Sequence, residues 1–171
     1  MNRSRIWAVT ALLIPIMALS ALAWQKHRLF TTGTEVTFAI QGFDPRDLLS
    51  GHYLIYRIDY QAEDPCQADN GQTEHGSPVW LCIEPRAFHL YAPSRERCPL
   101  TIPGRCEKRR FKAGLERFYI PEEEARPLDR LVRNSRGSLI VSVTPRGGAV
   151  VKELLIDDQP WREFLAASEK K

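Results

Sequence analysis

The side chains best suited to acid–base chemistry lie in two charged stretches of the sequence. They form a candidate polar cluster of six residues: Asp44, Arg46, Asp47, Tyr53, Glu116 and Arg117. Two carboxylates held close together can act as general acid and general base if their surroundings shift one pKa. Charges within an apolar strand are also costly to bury unless they are paired. We therefore favour a structural role, in which an arginine of this cluster pairs with Asp47 or Glu116 and fixes a turn to a sheet.

Motifs of well-known enzyme classes do not occur in the sequence. It contains no Gly-x-Ser-x-Gly, no His-Glu-x-x-His and no phosphate-binding glycine loop. The four histidines lie far apart without paired spacing: His27, His52, His75 and His89. We expect each of them to be a structural or surface residue. The sequence therefore indicates no particular reaction, and we expect neither a cofactor nor a metal site.

The four cysteines indicate an oxidising compartment. They are Cys66, Cys82, Cys98 and Cys106. An even number of cysteines in an exported domain predicts two disulfides, and the sequence permits three pairings. We favour Cys66–Cys82 with Cys98–Cys106, because each bond closes a short loop. A zinc site is the alternative, but the chain lacks the closely spaced cysteine pairs that such sites use.

A membrane-crossing segment is predicted near the N-terminus. Residues 1–5 are a basic start, and the 19 residues from Ile6 to Trp24 carry no charge. As a helix they would extend about 28 Å, close to the hydrocarbon thickness of a bilayer. The basic start favours an orientation with the N-terminus in the cytoplasm. We therefore predict a single-pass anchor in a bacterial inner membrane, with the C-terminal domain on the periplasmic side.

A cleaved signal peptide is the alternative for the same segment. The small residues Ala21 and Ala23 have the spacing of a signal-peptidase site. The uncharged run is longer than the usual core of a signal peptide, which favours the uncleaved anchor. With either interpretation the rest of the chain is exported.

The chain divides into five predicted segments. They are a cytoplasmic basic start at 1–5, the anchor at 6–24, a polar stalk at 25–34 with Gly33 as a hinge, an exported domain at 35–165 and a flexible tail at 166–171. The 24 Lys and Arg residues, two of which precede the anchor, nearly balance the 21 Asp and Glu residues. Such a balance does not favour nucleic acid as a partner. One basic stretch at 105–112 fits either a solvated strand edge or contact with lipid headgroups, and we favour the edge.

The strongest strand prediction follows a turn at Asp44–Pro45. Residues 52–60 are bulky, aromatic or β-branched, with polar residues alternating late in the run. Further strands are predicted at 35–40, 79–83, 87–91, 105–112, 115–120, 138–144 and 149–156. A short helix is predicted at 127–133, and loops at 61–78 and 93–104. This pattern predicts a mostly β fold, an antiparallel barrel-like or sandwich domain with one short helix, preceded by the transmembrane helix.

The start of the strand predicted at 52–60 resembles the signature of the GDYXXLXY family of bacterial membrane-anchored proteins. Gly51 and Tyr53 stand at the first glycine and tyrosine of the signature. His52 replaces its aspartate, Tyr56 its leucine and Ile58 its last tyrosine. The replacement at position 52 implies that a carboxylate is not indispensable there.

The flanks of the signature carry the resemblance further. Asp44–Leu49 precedes it as in the family, and Glu116–Glu122 resembles the family's downstream run. The resemblance implies a small exported domain on one membrane helix, accompanied by a multi-spanning membrane protein, and it implies no activity. We therefore expect a non-enzymatic interaction module for such a partner. The alternatives are an envelope hydrolase using carboxylates near the Asp44–Asp47 turn, and a small-ligand-binding barrel.

Overall fold

Alternating apolar and polar residues produce most of the strands of the domain. A computed structural model describes residues 3–44, 53–67, 74–121, 123–124, 136–145 and 147–168, with the backbone alone for 3–6, 8–9, 42–44 and 53–54. The elements in chain order are α1 (Arg3–Thr32), β1 (Thr34–Asp44), β2 (Tyr53–Asp59), a 3₁₀ helix (Pro65–Gln67), β3 (Pro78–Cys82), β4 (Ala87–His89), β5 (Thr101–Glu107), β6 (Arg110–Lys112), β7 (Arg117–Tyr119), β8 (Gly137–Val143), β9 (Ala149–Ile156), β10 (Gln159–Pro160) and α2 (Trp161–Ser168).

The strands form two antiparallel sheets. The larger sheet has the order β10-β9-β8-β1-β2-β7, and the smaller sheet has the order β4-β3-β5-β6. The prediction of a mostly β domain with antiparallel sheets is confirmed. The sheets are consistent with the barrel-like form, one of the two forms predicted, the other being a sandwich. Several predicted strands agree with the observed ones to within two residues at each end: 52–60, 79–83, 87–91, 115–120, 138–144 and 149–156. The predicted helix at 127–133 lies outside the described residues, whereas α2 was not predicted as a helix.

The core fills the space between the two sheets. On β1, Phe38 is fully buried and Ile40 is nearly so, while Ala39 between them is exposed. The register pairs Phe38 with Leu139 and Ile40 with Ile58, so these side chains share the inward face. Val79 and Leu81 of β3 meet them from the smaller sheet in one continuous cluster. The period-two pattern of the sequence thus decides which face of each strand is buried.

The favoured disulfide pairing was wrong. The structure contains Cys66–Cys106 and Cys82–Cys98. Strand β3 pairs with β5 so that Cys82 lies opposite Thr101, which brings Cys98 near the end of β3. Loop length alone could not predict this pairing, because sheet register decides which cysteines are neighbours. The prediction of two disulfides itself is confirmed.

Residues 105–112 form a hairpin, not the single strand predicted. The turn is Lys108–Arg109, and both residues have positive φ, 49° and 60°. Two-residue hairpin turns of this kind usually contain glycine or asparagine, so residues 108–109 carry no turn signal in the sequence. The paired residues on either side of the turn are Glu107 and Arg110. Strand β5 also begins at Thr101, inside the segment predicted as a loop.

Helix α1 continues past the predicted anchor and through most of the predicted stalk without a break. It ends at Thr32, and β1 begins at Thr34. The Gly33 between them is closely packed, because a Cβ at this position would lie 2.1 Å from the Ser142 hydroxyl oxygen and 3.0 Å from the Val143 backbone. The hinge predicted at Gly33 stays a prediction. Among the described residues, no helix is both long and apolar enough to cross a membrane. The structure therefore does not show the transmembrane helix that we predicted at 6–24.

Candidate functional site

Glu116 lies between two cavities, on the link from β6 to β7. Its side chain is 9% exposed, and its carboxylate Oε1 accepts a hydrogen bond from the Ala113 N–H at 2.7 Å. The link is held to β2 by Tyr56, whose hydroxyl donates to the Leu115 carbonyl at 2.7 Å. The Tyr56 N–H also donates, at 3.4 Å, to the carbonyl of Glu116. These bonds fix the position of a buried carboxylate at the edge of the core.

The first cavity has a volume of 330 Å³ and contains both acidic and aromatic side chains. Tyr56, Tyr60 and Glu116 line one part of it, and Asp64 and Phe111 line another. Asp64 is fully engaged in structure, because its two oxygens accept from the N–H groups of Cys66 and Phe111, each at 3.0 Å. This aspartate therefore joins the 3₁₀ helix to β6. The Tyr56 hydroxyl is likewise engaged by the Leu115 carbonyl, so Glu116 and the Tyr60 hydroxyl are the buried polar groups of this cavity that we consider for chemistry.

The hydroxyl of Tyr60 is the unusual group of the first cavity. Tyr60 is 8% exposed, and its oxygen has no hydrogen-bond partner within the described part of the chain. Its ring lies between Phe38 and Phe111, with centroid distances of 5.5 and 5.2 Å and edge-to-face geometry. Burial raises the pKa of Tyr60 well above its ordinary value, and the nearby Glu116 carboxylate raises it further. The hydroxyl is thus a neutral, buried donor without an acceptor.

We expect Tyr60→Phe to increase the free energy of unfolding at neutral pH by about 1–3 kcal/mol, since a buried polar group without a partner costs that much. Tyr56→Phe is the matched control. It should destabilise the domain by a similar amount, because it leaves the Leu115 carbonyl without its donor. Urea unfolding followed by circular dichroism measures both changes. A destabilised Tyr60→Phe variant would show that the hydroxyl has a partner after all.

Alkaline pH should destabilise the domain through both buried tyrosines. Burial raises the pKa of Tyr56 as well, with a further contribution from the Glu116 carboxylate. Above about pH 10 the unfolded chain loses these protons while the native state keeps them, so the free energy of unfolding falls with rising pH. The slope should approach about 1.4 kcal/mol per pH unit for each tyrosine. Tyr60→Phe should remove one such contribution between pH 10 and 11, and an unchanged slope would contradict this account.

The second cavity, of 910 Å³, lies on the other side of Glu116. Its basic lining residues are Arg105, Lys112 and Arg117. Trp80 of β3 and Tyr119 of β7 provide aromatic surface, and the side chain of Tyr119 is 70% exposed. The cavity thus combines cationic and aromatic groups around one buried carboxylate. An anionic or planar group of a partner would fit this composition.

The structure describes the six residues of the predicted polar cluster only in part. The side chains of Asp44 and Tyr53 and the whole of Arg46 and Asp47 lie outside the described residues. The backbone of β2 pairs Tyr53 with Tyr119 and Ile55 with Arg117, so the two predicted stretches are brought together. Glu116 is bound by a backbone N–H that sequence reasoning did not predict. The ion pair proposed for this cluster stays a prediction.

Glu116→Gln should lower the melting temperature by about 2–4 °C, because a charge-assisted hydrogen bond to Ala113 becomes a neutral one worth about 1 kcal/mol less. Glu116→Ala should cost more, since it leaves the Ala113 N–H without an acceptor. Differential scanning calorimetry of both variants measures the effect. An unchanged melting curve for Glu116→Gln would contradict the structural role of the carboxylate.

Tyr56, Tyr60 and Asp64 were not predicted from the sequence as site residues. Tyr56 and Tyr60 are four residues apart and lie on the same face of the predicted strand at 52–60, where bulky side chains predict core rather than chemistry. A usable signal was present at Asp64, because an aspartate two residues before a turn residue often accepts its N–H. In the described ranges, no three His, Cys, Asp or Glu side chains are grouped as metal ligands.

Comparisons with known proteins agree with the resemblance seen in the sequence. No curated protein and no solved structure matches the chain. The family model described as GDYXXLXY protein matches residues 15–154, which include β1 to β8, most of β9 and both flanks of the signature. The chain therefore belongs to the GDYXXLXY family.

Proposed function

We propose that this protein is a membrane-anchored, exported β domain that binds a multi-spanning membrane protein. The observation that carries the proposal is the exposure of apolar side chains on all sides of α1. Those more than half exposed are Trp7, Leu12, Ile14, Met17, Leu19, Leu22 and Trp24. A helix that is apolar all round needs an apolar environment, either lipid or other helices. The domain itself does not cover these residues.

The length of the apolar run supports a membrane rather than a protein environment. Residues 6–24 contain no charge. This run begins at Ile6, whose side chain lies outside the described residues. A run of this length matches the hydrocarbon thickness. The two disulfides support export, since such bonds persist in oxidising compartments. The periplasmic side of a bacterial inner membrane is the location that both features favour.

The end of α1 holds the domain in a fixed orientation relative to the helix. The Ser142 hydroxyl on β8 donates to the Leu29 carbonyl at 2.7 Å. Lys152 lies 5.1 Å from the centroid of the Phe30 ring and pairs with Glu35 at 2.6 Å. A domain attached in this way presents a constant face to neighbouring proteins in the membrane. That property suits an interaction module better than a freely tethered enzyme.

Photo-cross-linking in intact membranes tests the partner. A photoreactive residue at exposed Tyr119 should capture one stoichiometric multi-spanning protein, and the same residue at exposed Glu163 on α2 serves as the control. Repeated recovery of this chain alone from both positions would contradict the proposal.

The anchor is tested separately: the wild-type chain should stay with membranes after an alkaline wash, and its release would contradict membrane insertion.

Small-ligand binding is the second candidate function. The Tyr60 hydroxyl, which has no partner among the described residues, lies in a 330 Å³ cavity and favours this function, because a ligand acceptor could complete its hydrogen bond. A hydrolase using the predicted carboxylates is a narrower form of this idea, and Glu116 is its candidate. A thermal-shift screen of polar metabolites tests ligand binding. A true ligand should stabilise the wild type and lose most of that effect in Tyr60→Phe.

A further inference from the structure

We propose that a cavity at the end of α1 binds the phosphate of an anionic phospholipid headgroup. The proposal rests on the membrane anchorage proposed above and adds a specific lipid site to it. The cavity has a volume of 500 Å³. One wall is a single face of α1, formed by Gln25, Arg28, Leu29 and Thr32, and the other wall is formed by Arg95, Thr144, Pro145 and Gly148.

The charged side chains that line this cavity are both arginines. Arg28 comes from the helix and Arg95 from the loop that precedes β5. Within the described ranges, neither guanidinium has a carboxylate within ion-pair distance, and none of the described lining residues is acidic. Two unpaired guanidinium groups facing one cavity create a positive potential there. Arginine also binds phosphate through two parallel N–H bonds, which makes phosphate the preferred anion.

The position of Arg28 along α1 places the cavity at the depth of the headgroups. Trp24 is the last apolar residue of the uncharged run and is 67% exposed, as expected for a tryptophan at the membrane interface. Arg28 follows one helical turn later, about 6 Å along the axis. The headgroup layer on each side of a bilayer is about 5–8 Å thick. The guanidinium therefore lies at the level of lipid phosphates when the apolar run spans the membrane.

The walls of the cavity are held rigidly, so the two arginines are preorganised. Gly148 permits close packing of the helix, because a Cβ there would lie 2.4 Å from the Leu29 side chain. The Thr144 hydroxyl accepts from the Gly148 N–H at 3.1 Å, which fixes the turn between β8 and β9. The loop that carries Arg95 is tied to β3 by the Cys82–Cys98 disulfide. A rigid site loses less entropy when it binds a headgroup.

The helix dipole opposes an anion at this end of α1, but the arginines outweigh it. The dipole corresponds to about half a negative charge at a helix C-terminus, against two full positive charges. Some of the terminal carbonyls are also engaged. Those of His27, Arg28 and Leu29 accept from the hydroxyls of Thr31, Thr32 and Ser142 at 3.0, 2.7 and 2.7 Å. The net potential in the cavity therefore remains positive.

A lipid with an anionic headgroup fits this site better than a zwitterionic one. Phosphatidylglycerol presents a phosphodiester without a cationic group, whereas phosphatidylcholine would bring a quaternary amine towards the two arginines. The test uses the full chain in nanodiscs of equal phosphatidylglycerol and phosphatidylcholine, with native mass spectrometry to count the lipids retained. We expect the wild type to retain mainly phosphatidylglycerol. Arg28→Gln or Arg95→Gln should reduce the retained ratio about fivefold, the effect of one basic residue near an anionic surface.

Arg97→Gln is the matched control, because Arg97 is exposed on the same loop and does not line the cavity. It removes the same charge and should change the ratio less than twofold. Equal losses in Arg95→Gln and Arg97→Gln would overturn the site.

In nanodiscs of phosphatidylcholine alone, inorganic phosphate should not raise the melting temperature of the protein. A rise that disappears in Arg95→Gln would assign the site to free phosphate and would contradict binding of the lipid. Failure of the wild type to enter nanodiscs would instead overturn the anchorage.

Discussion

Replacing Cys66 and Cys106 together by serine is expected to lower the free energy of unfolding by about 4 kcal/mol. This disulfide joins residues 40 positions apart, and a cross-link over that length restricts the unfolded chain by an entropy worth about 4 kcal/mol. Cys82→Ser with Cys98→Ser removes a link over 16 positions and should cost about 3 kcal/mol. Urea unfolding of the full chain in detergent micelles measures both losses. Equal or reversed losses would contradict the chain-entropy account.

Counting free thiols under denaturing conditions tests the pairing itself. The Cys66→Ser, Cys106→Ser variant keeps Cys82–Cys98 and should show no free thiol. The Cys66→Ser, Cys82→Ser variant breaks both observed disulfides and should expose two thiols or form a non-native bond with lowered stability. The opposite pattern would restore the pairing first favoured from loop length. The comparison needs no assumption about activity.

The strand pattern could be predicted from the sequence because burial alternates along each strand. Phe38 and Ile40 on β1 are inward as their spacing predicts. The partners of each strand could not be predicted in the same way, because pairing joins residues that are distant along the chain, such as Ile40 and Gly137. The disulfides followed the pairing, so they were mispredicted with it. The Lys108–Arg109 turn was missed because its residues do not usually adopt positive φ.

The candidate site shows the same division between local and distant information. Glu116 was predicted because a charge stands out within an apolar strand, and it is indeed buried beside two cavities. Its bond to the Ala113 N–H depends on a tight bend between β6 and β7, for which only Gly114, at φ 78°, gave a signal. Tyr60 is notable because its hydroxyl is buried without a partner in the part of the chain that the structure describes. That property depends on how the two sheets meet, and a sequence pattern does not contain it.

Trp161→Ala is expected to lower the free energy of unfolding by about 3–5 kcal/mol, the usual cost of truncating a large buried aromatic side chain. Trp161 is 1% exposed and packs edge-to-face on Phe118 of β7 at 6.2 Å. From the sequence, no helix was predicted around Trp161, which lies near the end of the exported domain predicted at 35–165, and a flexible tail was predicted from 166. The structure instead places it in α2, which continues to Ser168 and buries Leu165 as well. Far-UV circular dichroism during urea unfolding measures the loss without relying on tryptophan fluorescence.

Trp161→Phe separates packing from polarity at the same position. The indole N–H of Trp161 has no acceptor among the described residues, so the phenylalanine variant removes a costly buried donor while it keeps much of the ring. We therefore expect Trp161→Phe to lose less than half of what Trp161→Ala loses. A loss below about 1 kcal/mol for Trp161→Ala would mean that α2 contributes little to the stability of the domain. A large loss would make α2 part of the domain core, which it joins through the contact of Trp161 with Phe118 of β7.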